Sequence, residues 1–584
     1  MQARSISDIM RELESLVSIE LYATRAIRGE SLLVSALREG QLNIYLYSDG
    51  TLTRVNRGIV SNYTVKTYNP SRVVIARDVA KGRELHKLYI VDLDEPGVEK
   101  PVEDMEPLRV LGLVDTGDMI VFSGATMQGN GLYITDGSET RKVKDLPGFA
   151  MVTDSDGRHA VGVGALDPLQ PSMFQLFLVD LETGDMKVHK PREGSVFHAR
   201  ITSRGIVYVN ARSEDSKLML LDPGSMEARE LELPYSDLSE YKPVMITYLD
   251  EAPDGRLVVV AGRDGRSRVF VDGKSIPGPE GLYASALLDG DRVIATYTSL
   301  RTPTRVIEIS SGETRVVLAG RTPDWLEQAL SGIDYVYVDS FDGERVPTFI
   351  LYSGRTGRPG PTVVLVHGGP FAADMDAWSV MAASLAILGF HVVMPNYRGS
   401  VGYGERWRNK IIGDVCGGEL EDVVSAARWA SDNGVANRLY IMGYSYGGFM
   451  TMCALTRKPG VFKAGVAGAS VVDWVEMYEL SDAAFRSFID MLFPGMKEER
   501  KTRSPISYVD NLQEPLCIIH PQNDSRTPLK PVLRFMMEAL EKGKRYEAHI
   551  IPDMGHAVNT VDDIVKILLP AILFLKRLEE SQEG

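Results

Sequence analysis

From about residue 25 to residue 320 the chain runs in short stretches of alternating apolar and polar positions, each broken by Asp, Gly or Pro. One unit keeps returning, an alternating strand that ends in a tight acidic or glycine turn. It reads Ile44-Tyr45-Leu46-Tyr47-Ser48-Asp49-Gly50, Leu88-Tyr89-Ile90-Val91-Asp92, Leu132-Tyr133-Ile134-Thr135-Asp136-Gly137 and Leu176-Phe177-Leu178-Val179-Asp180. It continues as Leu218-Met219-Leu220-Leu221-Asp222-Pro223-Gly224, Val269-Phe270-Val271-Asp272-Gly273 and a degenerate Val306-Ile307-Glu308-Ile309-Ser310-Ser311-Gly312. With the turn residue as marker the copies fall at 49, 92, 136, 180, 222, 272 and 310. A period of ~40–45 residues with several strands in each is the mark of a propeller blade. Seven markers predict seven blades, and the regular spacing disfavours an irregular stack of sandwiches. Asp-Gly and Pro-Gly are expected to supply the positive φ of the hairpin turns.

Near residue 320 the period changes. Pro361–His367 is a continuous apolar run, followed by a helical pattern from Trp378 to Leu388, a strand from Phe390 to Pro395, a helix from Leu420 to Asp432 and a strand from Arg438 to Met442. Strands alternating with helices predict a mostly parallel, doubly wound sheet. At the start of the chain Ile6, Ile9, Met10, Leu13, Leu16 and Val17 recur at helical spacing among Asp8, Arg11, Glu12 and Glu14. Those charges interrupt any signal-peptide core, so an ordinary amphipathic packing helix is expected. The fold class is thus two-domain: helix 1–24, seven-bladed β-propeller 25–320, and an α/β domain of the α/β-hydrolase kind, 321–584.

The chemistry lies in the second domain. Gly443-Tyr444-Ser445-Tyr446-Gly447-Gly448 follows a strand and opens a helix. This is G-x-S-x-G in the context that projects a serine above the sheet. A serine hydroxyl needs a base oriented by an acid. The exit loop of the strand Leu516–His520 carries Asp524, and that of Tyr546–Ile551 carries His556, in the chain order this fold uses. His520 and His549 fall inside strands and are read as core residues, while Asp553 is too close in sequence to orient His556. His367-Gly368-Gly369-Pro370 ends an earlier strand, so the N–H groups of Gly369 and Tyr446 are the expected oxyanion donors.

Charge and cysteine content narrow the picture. A net charge of −15 excludes a basic, phosphate-neutralising surface, and with it nucleic acid and anionic membranes as partners. Three cysteines, Cys416, Cys453 and Cys517, are no secreted disulfide framework, so a cytoplasmic location is expected. The sequence leaves a Cys416–Cys453 bridge open. No Cys/His spacing suits a metal, and the expected reaction needs no metal or organic cofactor.

Taken with Asn396-Tyr397-Arg398-Gly399-Ser400-Val401-Gly402-Tyr403-Gly404, Asn523-Asp524-Ser525-Arg526 and Gly555-His556, these motifs resemble the prolyl oligopeptidase family, acylaminoacyl-peptidase branch, in particular archaeal members. The resemblance covers essentially the whole chain. It implies an N-terminal helix packed on the hydrolase domain, an active site between the two domains, short peptide substrates, and a homo-oligomer such as a dimer. It also implies that Arg526 grips a substrate carbonyl; the alternative is an arginine paired with a carboxylate. Dipeptidyl peptidases of this family hold a free amine with a Glu-Glu pair in the propeller, and no Glu-Glu lies between residues 25 and 320. Val471, Trp474, Phe485, Phe488 and Ile489 are expected to line an apolar substrate pocket, although such spacing suits a core equally; Ser470 and Asp473 receive no role. The function expected is release of an N-acylated amino acid from blocked peptides, with dipeptidyl peptidase, general oligopeptidase, broad esterase and an inactive propeller scaffold as rivals.

Overall fold

The computed structural model describes residues 6–61 and 66–581. Seven sheets follow one another along the chain over 21–54, 72–101, 109–146, 150–189, 195–230, 245–276 and 282–318. Each repeat marker sits at the turn leading into a blade's outermost strand. The turns are made in two ways. Asp49-Gly50 and Asp272-Gly273 hold both residues at positive φ, as expected. At Pro223-Gly224 the expected positive φ is absent; instead the Asp222 carboxylate accepts from the N–H groups of Gly224 and Ser225, a side-chain substitute for a backbone turn. The second blade has three strands among the described residues, and the two-residue strand Lys66–Thr67 pairs with the third blade.

Seven apolar clusters fill the ring, one between each pair of neighbouring blades. The last of them joins Tyr22, Leu32 and Val34 of the first blade to Ile294 and Val306 of the seventh. Among the described residues no strand is exchanged across that seam, which is held by packing and by a bond from Thr24 N–H to Thr296 Oγ1 (2.9 Å). The first blade begins with Leu21–Arg28, so the segment assigned to the N-terminal helix is shorter than expected. The helix itself, Ile6–Val17, buries Ile9, Leu13, Leu16 and Val17 against the hydrolase sheet and the C-terminal helix Val561–Glu580. Met10 faces outward, and the side chain of Ile6 lies outside the described residues.

The hydrolase sheet has eight strands: Leu330–Asp339, Arg345–Ser353, Gly360–Val366, His391–Pro395, Ala436–Tyr444, Gly465–Gly468, Leu516–Pro521 and Tyr546–Ile551. Numbered along the chain, their order is 1-2-4-3-5-6-7-8, parallel from the fourth onward. Apolar cores cover both faces. The parallel order puts the C-terminal ends of strands three to eight along one edge of the sheet, and the motif residues follow strands three, four, five, seven and eight there. Cys416 and Cys453 form a disulfide between the loop before the helix Gly418–Asp432 and the helix after Ser445, with Cα atoms 6.2 Å apart. No described helix is long and apolar enough to cross a membrane.

Candidate active site

The fifth strand passes into the helix Tyr446–Arg457 through Ser445 alone, held at φ 59°, ψ −121°. Such a conformation is costly for a non-glycine residue and persists only where its surroundings impose it. Here close packing does so. A Cβ on Gly443 would fall on the backbone of Gly447, one on Gly447 on the carbonyl of Val366, and one on Gly448 on the carbonyl of Gly468. Ser445 N–H donates to Gly468 O at 2.9 Å, fixing the turn against the sixth strand. As first residue of its helix, Tyr446 has an N–H with no acceptor inside the helix.

Asp524 and His556 are brought together: His556 Nδ1 lies 2.7 Å from Asp524 Oδ2. The carboxylate also accepts from Arg526 N–H (2.9 Å), Thr527 N–H (2.8 Å) and the Thr527 hydroxyl (2.8 Å). Burial alone would raise the Asp524 pKa. The adjacent imidazole and these donors outweigh that and hold it below the ordinary value. Tyr444 donates its phenol to His556 O at 3.0 Å, with the two rings 5.4 Å apart, so the residue before the serine fixes the histidine loop. Neither Thr527 nor Tyr444 was assigned a role from sequence. Ser445 lines the interdomain cavity, but among the described residues no hydrogen bond joins its hydroxyl to His556. Contacts of this kind in free enzymes tighten when substrate binds.

The rival residues are accounted for. His520 is buried, with Nε2 2.8 Å from Thr527 O. His549 is not a core residue as expected: the eighth strand is the sheet edge, and the ring is partly exposed 2.6 Å from Glu547. Asp553 pairs with Lys81 of the propeller (3.1 Å), while His556 is held by Asp524.

Gly368 stands against Ser445, where an added Cβ would lie 3.3 Å from Ser445 Cβ, and Gly369 lines the cavity. The Asn396–Gly404 motif braces this loop from behind. Tyr397 stacks on His367 (4.3 Å) and donates to His367 O, while Ser400 Oγ is 2.8 Å from His367 Nε2. Burial lowers His367 to about 4, so its ring is neutral. On the other side the Tyr446 phenol donates to Glu419 Oε1 (3.1 Å), a carboxyl that burial pushes up to about 7.

The cavity, about 600 Å³, lies between the domains. Phe485 and Phe488 line it, together with Ala484, Ser487 and Met491 of the same helix. Val471, Trp474 and Ile489 do not: they are buried in the hydrolase core, Ile489 lying just beyond the edge of the helix face that meets the cavity. Sequence could not separate pocket from core here because both faces of one helix are apolar. Asp473 caps the helix Trp474–Leu480 through the N–H groups of Val475 and Glu476.

Arg526 lines the cavity but is paired. Its Nε donates to Glu84 Oε2 of the propeller at 2.7 Å, and its Nη2 to Glu84 Oε1. Arg109 donates to the same carboxylate (2.5 Å), to Asp482 (2.6 Å) and to Ser525 Oγ (2.9 Å). Burial opposes ionisation of Glu84, but the two guanidinium groups prevail and hold it far below the carboxylate range. Beside this network Gly82 (φ 90°) presses on Gly555; a Cβ on Gly82 would fall on the Gly555 backbone. The propeller thus bears directly on the loops carrying Asp524 and His556.

Fold and site together define a serine hydrolase capped by a β-propeller. Residues 33–307 match the family model of the acylamino-acid-releasing enzyme-like N-terminal domain, and residues 377–581 that of the prolyl oligopeptidase family. Over residues 377–581 the chain is thus matched to the prolyl oligopeptidase family of serine peptidases. Among curated relatives, the acylamino-acid-releasing enzyme of Arabidopsis thaliana is 25% identical over 47% of this chain and 40% of its own length. The dipeptidyl aminopeptidase BIII of Pseudoxanthomonas mexicana is 30% identical over 35% of this chain and 31% of its own. The chain therefore matches well under half the length of these relatives. The acylaminoacyl peptidase of Pyrococcus horikoshii shares the fold, with a TM-score of 0.70, 17% identity and 97% coverage of both chains.

Proposed function

We propose that this serine peptidase releases N-acylated amino acids from short peptides with a blocked N-terminus. Ser445 attacks the scissile carbonyl as His556 takes its proton. Asp524 orients the imidazole and stabilises its charged form, and the N–H groups of Gly369 and Tyr446 hold the oxyanion. Water then cleaves the acyl-enzyme, with His556 again as base.

The observation that carries the choice of substrate is the charge of the cavity wall. Binding a free α-amine in an apolar cavity needs a carboxylate without another partner. Among the described residues the single carboxylate in the lining, Glu405, is committed: it accepts from Arg408 (3.0 Å). Glu84, just behind the wall, is committed to Arg526 and Arg109. A blocked N-terminus suits such a wall and a free one does not. The dipeptidyl reading, suggested by the similarity to the Pseudoxanthomonas enzyme, lacks an anchor for the amine.

The test is a side-by-side kcat/KM for an acetylated aminoacyl-anilide, a free-amine dipeptidyl-anilide and a short-chain aryl ester, with Ser445→Ala as control. Preference for the acetylated amide is expected. Turnover of the ester alone would leave the nucleophile in place and remove the peptidase assignment.

A further inference from the structure

Arg408 belongs to a short helix, Glu405–Asn409, at the junction of the two domains, and it lines the cavity although only 2% of its side chain is exposed. Three phenylalanines surround its guanidinium, with ring centres 4.4 Å (Phe371), 5.2 Å (Phe197) and 5.6 Å (Phe174) away. Burying a cation among rings is expensive unless its N–H groups are satisfied. They are satisfied unevenly. Nη1 donates to Glu405 Oε2 (3.0 Å), Asn409 Oδ1 (3.1 Å) and Ser172 O (3.2 Å). Among the described residues Nε is buried without a partner, and Nη2 forms no hydrogen bond. Glu405 has the opposite status, its Oε2 accepting from Arg408. Nε is sealed inside, so the pair offers the cavity one unused donor group, Nη2, beside a carboxylate already bonded to Nη1. Arg526, the other cation of the lining, is held by both oxygens of Glu84.

A peptide blocked at its N-terminus and free of charged side chains keeps one charge, the C-terminal carboxylate. We propose that Arg408 is the subsite for that carboxylate. The chain end beyond the scissile bond docks on the free side of the guanidinium, and the phenylalanines exclude water from the contact. This inference rests on the peptidase reading above and deepens it. The substrate class becomes short acyl-peptides with a free C-terminus, their length set by the span from Ser445 to Arg408 and not by sequence.

The test compares kcat/KM for N-acetyl-Phe-Ala-Ala as the free acid and as its C-terminal amide. The wild-type enzyme should favour the acid by about tenfold, the scale of one charge-assisted hydrogen bond. Arg408→Gln should bring the ratio to about one. Glu405→Gln should raise it, by removing the competing carboxylate, and it carries the test if Arg408→Gln fails to fold. A wild-type ratio near one, a ratio retained in Arg408→Gln, or one that does not rise in Glu405→Gln overturns the subsite. An acetyl-aminoacyl anilide, which has no carboxylate, reports the peptidase reading separately: no wild-type turnover of it would remove that reading, whereas normal turnover with no acid preference would remove only the subsite.

Discussion

Glu84→Gln removes one charge at the seam between the domains while keeping the size of the side chain. The wild-type carboxylate is buried and accepts from two arginines, one of which also holds Asp482 and Ser525. Removing one partner of a buried ion pair costs about 3–5 kcal/mol, mostly because the remaining charge is left buried. Two features place this case at the low end. Arg526 is 35% exposed, so water screens part of its loss, and Arg109 retains Asp482. A loss of about 3 kcal/mol at neutral pH is expected, read by urea unfolding with a probe in each domain, since two domains need not unfold together. The pH dependence gives a second, independent sign. The folded-state pKa of Glu84 is depressed, so its contribution is fully present above the unfolded carboxylate value, about 4.3, and is lost as pH falls toward the folded value. The gap between wild type and variant should therefore narrow below about pH 4.3. A gap absent at neutral pH, or constant into the acid range, would refute the reasoning.

Asp524→Asn should lower kcat on an acetyl-aminoacyl anilide by about 10⁴-fold with the fold intact, and a loss of less than about tenfold would argue against the triad. Replacing Cys416 and Cys453 together by Ser opens a bridge spanning a sequence separation of 37 and should cost about 4 kcal/mol in thermal or urea unfolding; an unchanged midpoint would mean that the disulfide is not formed. Gly82→Ala puts a Cβ into the backbone of Gly555 at φ 90°, so kcat/KM should fall about tenfold or more through displacement of the His556 loop. Wild-type kinetics in that variant would show that the propeller contact does not position the loop.

How far the sequence could be read depends on which features are local. The blade turns and the G-x-S-x-G elbow impose their residues through contacts within a few positions, so the seven markers and Ser445 stood out. Asp524 and His556 followed from strand order, a property of the parallel sheet. At the elbow, Gly443 is required by the turn itself, where a Cβ would meet the Gly447 backbone, whereas Gly447 and Gly448 are required by the carbonyls of Val366 and Gly468 packed against them from other strands. The cavity wall was less legible because it is assembled from segments far apart in the chain. Glu84 and Arg526 are separated by 442 positions, and Arg408 and Ser172 by 236, so neither pairing leaves a local pattern. The apolar helix Ala483–Leu492 hid its division into cavity and core faces because hydrophobicity does not distinguish a wall that meets substrate from one that meets protein. Absence of a Glu-Glu pair disfavoured a dipeptidyl peptidase, and the bonding of the acidic groups adds a physical argument for the reading proposed above. In this wall what decides is whether a carboxylate is already bonded, and both that qualify by position are. On the proposals above, an apolar cavity whose acidic groups are spent and whose Arg408 keeps Nη2 free would take an anionic ligand, which an acylated peptide with a free C-terminus is and a free-amine dipeptide derivative is not.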